Sequence, residues 1–349
     1  MAGKGFKTSI YVLFVAATLA TILLCTAIGS VYIPLPDAVR AIWNAFLSWI
    51  GNAPSTDPVD TIAADIVLNI RLPRVLCAGL VGAALALSGC SMQGLLKNPL
   101  ADGSTLGVSA GASLGAVIAI SFGLVIPTLP VAGTTVFASL FAFLSLLLIL
   151  ALAYKLDYSL STNTIILVGV IYAMFVSALI SIFIVFAGQQ ATHIVFWTMG
   201  SLQGRGYEYV LMMALVLTIF GSILFSLRRE LNAFAVGEDN ARHIGVNVKR
   251  VKLLVLVCTA ILIGACVSVG GTIAFVGLVT PHIVRMITGP NHARLMPASF
   301  FGGAVFLMLS DLIARTALSP RELPIGVVTS IIGAFIFVRI FFAIRKVKQ

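Results

Sequence analysis

The sequence predicts an all-α, polytopic membrane protein, and three observations carry that expectation. Hydrophobic residues make up 60% of the 349 residues and charged residues only 10%, far from the balance of a water-soluble domain. Apolar runs of about 20 residues recur from end to end, each sufficient to cross a hydrocarbon layer about 30 Å thick. Lys and Arg are concentrated in the short polar breaks between those runs. A backbone in lipid has to satisfy its own hydrogen bonds, so helices are expected rather than open sheet. The formal net charge of +10 does not point to nucleic acid, because the cations are dispersed over loops instead of forming one face.

The first span is 9–30, preceded by Lys4 and Lys7. It is read as a span and not a cleavable leader, because the run exceeds a leader's usual apolar core and no small-x-small site closes it. GKGFKT at Gly3–Thr8 has neither the spacing nor the preceding strand of a phosphate loop. Residues 31–70 form an external connection containing Pro34, Pro36, Pro54 and Pro58. Within it, Ala38–Ile50 carries Trp43 and Trp49 and predicts a helix lying in the membrane interface, where Trp is favoured.

Spans two to six occupy 75–227. RLPR at Arg71–Arg74 precedes the second, Val75–Leu96, in which Gly79, Gly82, Ala86 and Gly89 permit close helix packing. KNPLADGST turns the chain into the third, 106–126, where Gly107, Gly111 and Gly115 form a one-sided packing stripe. Pro127 and Pro130 bound the return into the fourth, 131–153, and the fifth is 164–187. Along the fifth, Met174, Ser177, Ala178, Ser181 and Val185 share a face at helical spacing, suited to lining a pathway or to packing. Residues 188–207 are too polar to span and are expected at a surface, and 208–227 is the sixth span. The hydrophilic segment 228–252 then interrupts the apolar pattern with AVGEDNARHIGVNVKRVK at Ala235–Lys252. Spans seven to ten fill 253–342: 253–269, 270–286 (interrupted by Pro281), 298–318 and 323–342. The whole of 1–349 reads as one transmembrane domain.

About ten spans put both termini on one side. That side then holds 16 of the 22 Lys and Arg residues, and the other keeps six: Arg40, Arg71, Arg74, Arg205, Arg315 and Arg321. The bias places the termini and the 228–252 segment in the cytoplasm. Gly89 precedes Pro99 by ten residues and Gly271 precedes Pro281 by ten, in spans of opposite direction, a faint sign of inverted repeats.

Chemistry-bearing groups are few. Asp311 is the only carboxylate deep in an expected span, and Arg315 four residues on supplies a simple helical ion pair. Cys25, Cys77, Cys90, Cys258 and Cys266 show no metal spacing and read as buried thiols. His193, His243, His282 and His292 are scattered and form no ligand cluster. No nucleophile–base pair and no nucleotide loop is legible, so the energy for any transport comes from elsewhere.

The chain resembles the permease subunits of the iron-siderophore, heme and cobalamin (FecCD-type) family of binding-protein-dependent ABC importers. The matching strings, in order, are RLPR at Arg71, SGCSMQGLLKNPLADGSTLGVSAGA from Ser88, LSTN at Leu160, FWTMGSL at Phe196, GEDNARHIGV at Gly237, GGTIAFVGLVTPHIVR at Gly270, GPNHARLMPAS at Gly289 and RELPIGV at Arg321. They run nearly the whole length after the first span.

The resemblance implies a multi-pass subunit of a bacterial or archaeal cytoplasmic membrane that catalyses no bond chemistry and carries no cofactor. ATP and Mg would be held by two partner ATPases. A second permease would complete the core, as a homodimer or alternatively a heterodimer. A substrate-binding protein or lipoprotein would deliver the cargo; no nucleic acid is involved. The family's coupling helix falls on Gly237, Glu238, Asp239, Ala241, Arg242 and Gly245. Its docking arginines fall on Arg71, Arg74 and Arg315, and its cytoplasmic gate on Asn98, Leu100, Ser161 and Thr162. Met174, Ser177 and Ser181 are the expected pathway lining. The cargo implied is an iron complex, a ferric siderophore or heme, with cobalamin as the alternative. An ion-coupled secondary transporter is the rival from another class, disfavoured by the scarce intramembrane charge; a scaffold or channel subunit is a third.

Overall fold

A computed structural model describes residues 6–29, 31–51, 61–102, 106–124, 132–158 and 161–347, and these are helical with no strand among them. In order they form α1 (Thr8–Ala27), α2 (Leu35–Trp49), α3 (Thr61–Asp65), a π-helical stretch (Ile66–Arg71), α4 (Leu72–Leu96), α5 (Val108–Ser121), α6 (Ala132–Leu156), α7 (Thr162–Phe186), α8 (Ala191–Thr198), α9 (Tyr207–Ser226), α10 (Arg228–Val236), α11 (Glu238–His243), α12 (Val248–Gly270), α13 (Val276–Thr288), α14 (His292–Thr316) and α15 (Ile325–Val347). Seven helical stretches are long and apolar enough to cross a membrane, and α5, α13 and α15 supply three shorter apolar helices. Together these coincide with the ten spans read from the sequence.

The molecule is built around α4 and α12, whose apolar stretches are 78% and 72% buried within the chain, against 17% for α1 and 22% for α7. Small residues make this possible. Gly82 of α4 faces Gly303 of α14, and Gly89 faces Gly277 of α13, so closely that a Cβ on any of them would overlap the facing backbone. In lipid, where apolar side chains gain little from leaving the bilayer, such backbone approach supplies dispersion contacts that larger residues would forbid. The α5 stripe behaves alike: Gly111 and Gly115 lie against Ser145 and Phe137 of α6. We expect Gly89→Val to lower the melting temperature of the purified protein sharply, since the Gly277 carbonyl cannot retreat without moving α13. Overpacking of this kind typically costs about 1–3 kcal/mol; an unchanged melting curve would show that the contact is dispensable.

Several boundaries differ from expectation. The second span does not begin after RLPR: the helix runs unbroken from Thr61 to Leu96, with Arg71 and Arg74 inside it. Both side chains are satisfied by protein groups, so the helix need not end where the charge begins. Much of the expected 31–70 connection is also helical. There α2 buries Ala38 and Ala41 and turns Leu35, Val39, Trp43, Phe46 and Ile50 outward, a stripe suited to the interface. Pro54, Pro58, Pro127, Pro130 and Leu160 lie outside the described residues. The two glycine–proline pairs are not structurally equivalent, since Gly89 is mid-helix whereas Gly271 (φ 68°) lies just beyond the end of α12. What recurs in opposite direction is the order of a long buried helix, a break and a short helix, in α4–α5 and again in α12–α13.

Candidate functional site

On the basic side, the 228–252 segment folds as two short helices and the first turn of a third. In α10, Leu231 and Phe234 are buried, and the helix packs on α4 and α14. Gly237 (φ 133°) then reverses the chain in a conformation that favours glycine. After it α11 buries only Ala241 and presents Asp239, Asn240, Arg242 and His243 outward. Gly245 (φ 88°) ends the excursion and Asn247 caps α12, its side chain accepting from the Arg250 amide at 3.0 Å. Two ion pairs fix α11. Asp239 and Arg242 lie 3.4 Å apart on the exposed side. Glu238 reaches Lys252 of α12 at 2.8 Å, and that lysine is buried. The apolar Val236 and Ile244, 72% and 71% exposed, flank α11 and leave its outer face both charged and greasy.

Beside this surface lies a polar cluster that the sequence reading did not identify. Asn232 of α10 donates to Asn291 Oδ1 at 3.0 Å, and its own Oδ1 accepts from the His292 amide at 2.9 Å. The same Oδ1 lies 2.9 Å from His292 Nδ1. Nearby, Gln93 of α4 donates to the Gly277 and Leu278 carbonyls of α13 at 3.3 and 3.2 Å, and accepts from Arg285 at 2.9 Å. The one sequence signal for this cluster was Asn291 in the polar turn ahead of the ninth span, which in the structure caps α14, its side chain accepting from Ala293.

The expected gate residues fall in two turns at the same end. Lys97 closes α4 in the left-handed region (φ 49°), and Asn98 Oδ1 accepts from the Leu100 amide at 2.9 Å, leaving Leu100 half exposed. Ser161 caps α7: its amide donates to Asp157 at 3.0 Å and its hydroxyl pairs with Thr164 at 2.9 Å, with Thr162 beside it half-buried. Met174, Ser177 and Ser181 occupy the exposed side of α7, where the Ser181 hydroxyl donates to the Ser177 carbonyl at 2.9 Å.

At the opposite end the three arginines expected to dock a partner are turned inward. Arg71 donates to the carbonyls of Thr26, Ala27 and Val31, holding the end of α1. Arg74 Nε reaches both oxygens of Asp311, at 3.0 and 3.2 Å, and its Nη1 reaches Glu322 at 3.0 Å. Arg315 donates to the Cys25 carbonyl and lies 3.5 Å from Asp311. Asp311 is therefore held mainly across helices by Arg74, and the helical pair with Arg315 is the looser contact. A cavity of about 190 Å³ opens beside these groups, lined by Gly29, Ile70, Arg71, Arg74, Arg315 and Glu322 among others.

The five cysteines are buried and unpaired. Among the described residues no group of three His, Cys, Asp or Glu could hold a metal ion.

The FecCD transport family matches residues 17–343. The cobalamin import system permease protein BtuC of Halobacterium salinarum is 38% identical over 285 residues, covering 82% of this chain and 75% of that protein. The hemin transport system permease protein HmuU of Yersinia pestis is 39% identical over 290 residues, covering 81% of this chain and 85% of that protein. A solved structure described as an inward-facing conformation of a metal-chelate type ABC transporter matches with a TM-score of 0.82 at 31% identity, covering 97% of this chain and all of that one.

Proposed function

This chain belongs to the FecCD transport family, and from that premise we propose that it imports an iron complex, a ferric siderophore or heme, as one half of a paired permease core. It is the permease subunit of an ABC importer in the cytoplasmic membrane and performs no bond chemistry; ATPases and a binding protein are the partners of that class. Family membership removes the ion-driven carrier as a reading.

The observation that carries the mechanism is the α11 surface. Gly237, Glu238, Asp239, Ala241, Arg242 and Gly245 form a short, exposed helix moored to α12 by the buried Lys252 and bounded by glycines in φ > 0 conformations. A partner gripping this helix would move α10 and α12 together. The turns at Asn98 and Leu100, and at Ser161 and Thr162, share that end and would serve as the inner gate. The outward side of α7, with Met174, Ser177 and Ser181, would face a second copy of the chain and line the pathway with neutral groups. Docking of a binding protein through Arg71, Arg74 and Arg315 would require its carboxylates to displace Glu322 from Arg74.

The iron assignment is supported by FWTMGSL at Phe196–Leu202 and by the hemin permease. A cobalamin cargo is the second reading, supported by a relative of almost equal identity. Reconstitution with the cognate ATPases and binding protein tests both. ATP-dependent uptake of hemin or a ferric siderophore is expected; ATP-dependent uptake of cyanocobalamin alone would overturn the iron assignment. Uptake that persists without the ATPases would overturn the importer itself.

A further inference from the structure

We infer that Asn232 and His292 are positioning residues that carry movement of the α10–α11 unit into the transmembrane core through α14 and α4. The inference rests on the reading of α11 as the ATPase contact, and adds a route beside the Glu238–Lys252 link to α12.

One side chain on α10 holds the start of α14 at three points. Asn232 Nδ2 donates to Asn291 Oδ1, while Asn232 Oδ1 accepts from the His292 amide and from its Nδ1, all between 2.9 and 3.0 Å. Asn291 Oδ1 also accepts from the Ala293 amide at 3.0 Å, so the group that Asn232 grips is the cap of α14 itself. Hydrogen bonds of this kind are directional and constrain rotation as well as separation, which greasy packing alone does not. Asn232 Oδ1 accepts from Nδ1, so the His292 ring carries its proton there and leaves Nε2 as a bare acceptor.

Among the described residues that Nε2 has no hydrogen-bond partner, and it abuts Gly94 of α4, where a Cβ would overlap it. An unsatisfied buried acceptor typically costs about 1–3 kcal/mol. Leucine or methionine would fill the space without that cost. What the ring offers in their place is its other nitrogen's bond to Asn232, which makes it a rigid strut from α10 to α4. Next to Gly94, Gln93 extends the connection to the α13 carbonyls of Gly277 and Leu278 and to Arg285. A displacement of α10 is therefore passed at one level to α14, α4 and α13. Because α14 is continuous to Thr316, it carries that displacement to Asp311, roughly 28 Å further along the helix at 1.5 Å per residue.

The test uses the full complex of permease, ATPases and binding protein, and needs no cargo. Nitroxide labels at Phe122→Cys and Leu318→Cys, both exposed at the outer end, report the separation of α5 from α14, with labelled chain diluted by unlabelled. The five native cysteines are buried. Trapping with ATP and vanadate is expected to shift this distance by on the order of 2 Å. Asn232→Ala is expected to abolish the shift while ATP hydrolysis continues, and Asn232→Asp, which keeps the acceptor for His292 but loses the donor to Asn291, to restore part of it. A wild-type shift in Asn232→Ala overturns the inference. A complex without the substitution that shows no shift and no dependence on α11 overturns the underlying reading instead. Where Asn232→Ala does not assemble, Asn232→Ser, too short to reach both partners, is read in the same way.

Discussion

Replacing Arg74 with alanine is expected to remove most of the folded chain from the membrane. Asp311 is 1% exposed, and Arg74 supplies the two shortest contacts to its carboxylate as well as a 3.0 Å pair with Glu322. Breaking a buried pair by deleting one partner typically costs about 3–5 kcal/mol, because the other charge stays behind undercompensated; here Asp311 would keep only the looser contact with Arg315. Set against a usual total of about 5–15 kcal/mol, that loss is large. The measurement is the yield and melting temperature of the detergent-solubilised protein. Arg74→Met combined with Asp311→Asn should recover part of the loss, since neither charge then remains in that pair. If Arg74→Ala melted like the unaltered protein, the cluster would be incidental to the fold.

The second large effect is expected at the α11 surface and should leave the fold untouched. Ile244 is 71% exposed beside the charged residues of α11, and with Val236 forms the apolar part of the proposed ATPase contact. Ile244→Asp puts a charge where a partner's groove would have to desolvate it. Disrupting a hot spot at the centre of an interface costs about 2 kcal/mol or more, or roughly a thirty-fold loss of affinity. Titration of purified ATPase onto the permease should show that loss, together with loss of ATP-driven uptake, at an unchanged melting temperature. Equal affinity for both proteins would remove Ile244 from the contact.

Hydropathy made the membrane class and the ten helices legible, because a span is declared by its own residues. It was less reliable where protein replaces lipid or water around a segment. Arg71 and Arg74 looked like a terminus, yet the helix passes through them because carbonyls of α1 and acids of α14 and the following loop satisfy their guanidinium groups. Asp311 shows the same limit. Its nearest charge in sequence, Arg315, is the looser partner, and the closer one lies 237 positions away. The 228–252 segment was legible as a hydrophilic interruption, and its glycines and acidic start marked α11. The Asn232–His292 junction was not, because an asparagine on a half-buried face and a histidine at a helix start carry no pattern until tertiary packing joins them.

The mooring of α1 has a consequence for how the chain is made. This helix is scarcely covered by the rest of the protein, and its fastenings come from Arg71 of the second span and from Arg315, which binds a carbonyl 290 positions earlier. At a synthesis rate of about 5–20 residues per second, roughly 15 to 60 s separate the emergence of α1 from that of its last fastener. Through most of that interval α1 has only the second span, through Arg71, to hold it in the bilayer. Its almost wholly apolar sequence suits it to that wait.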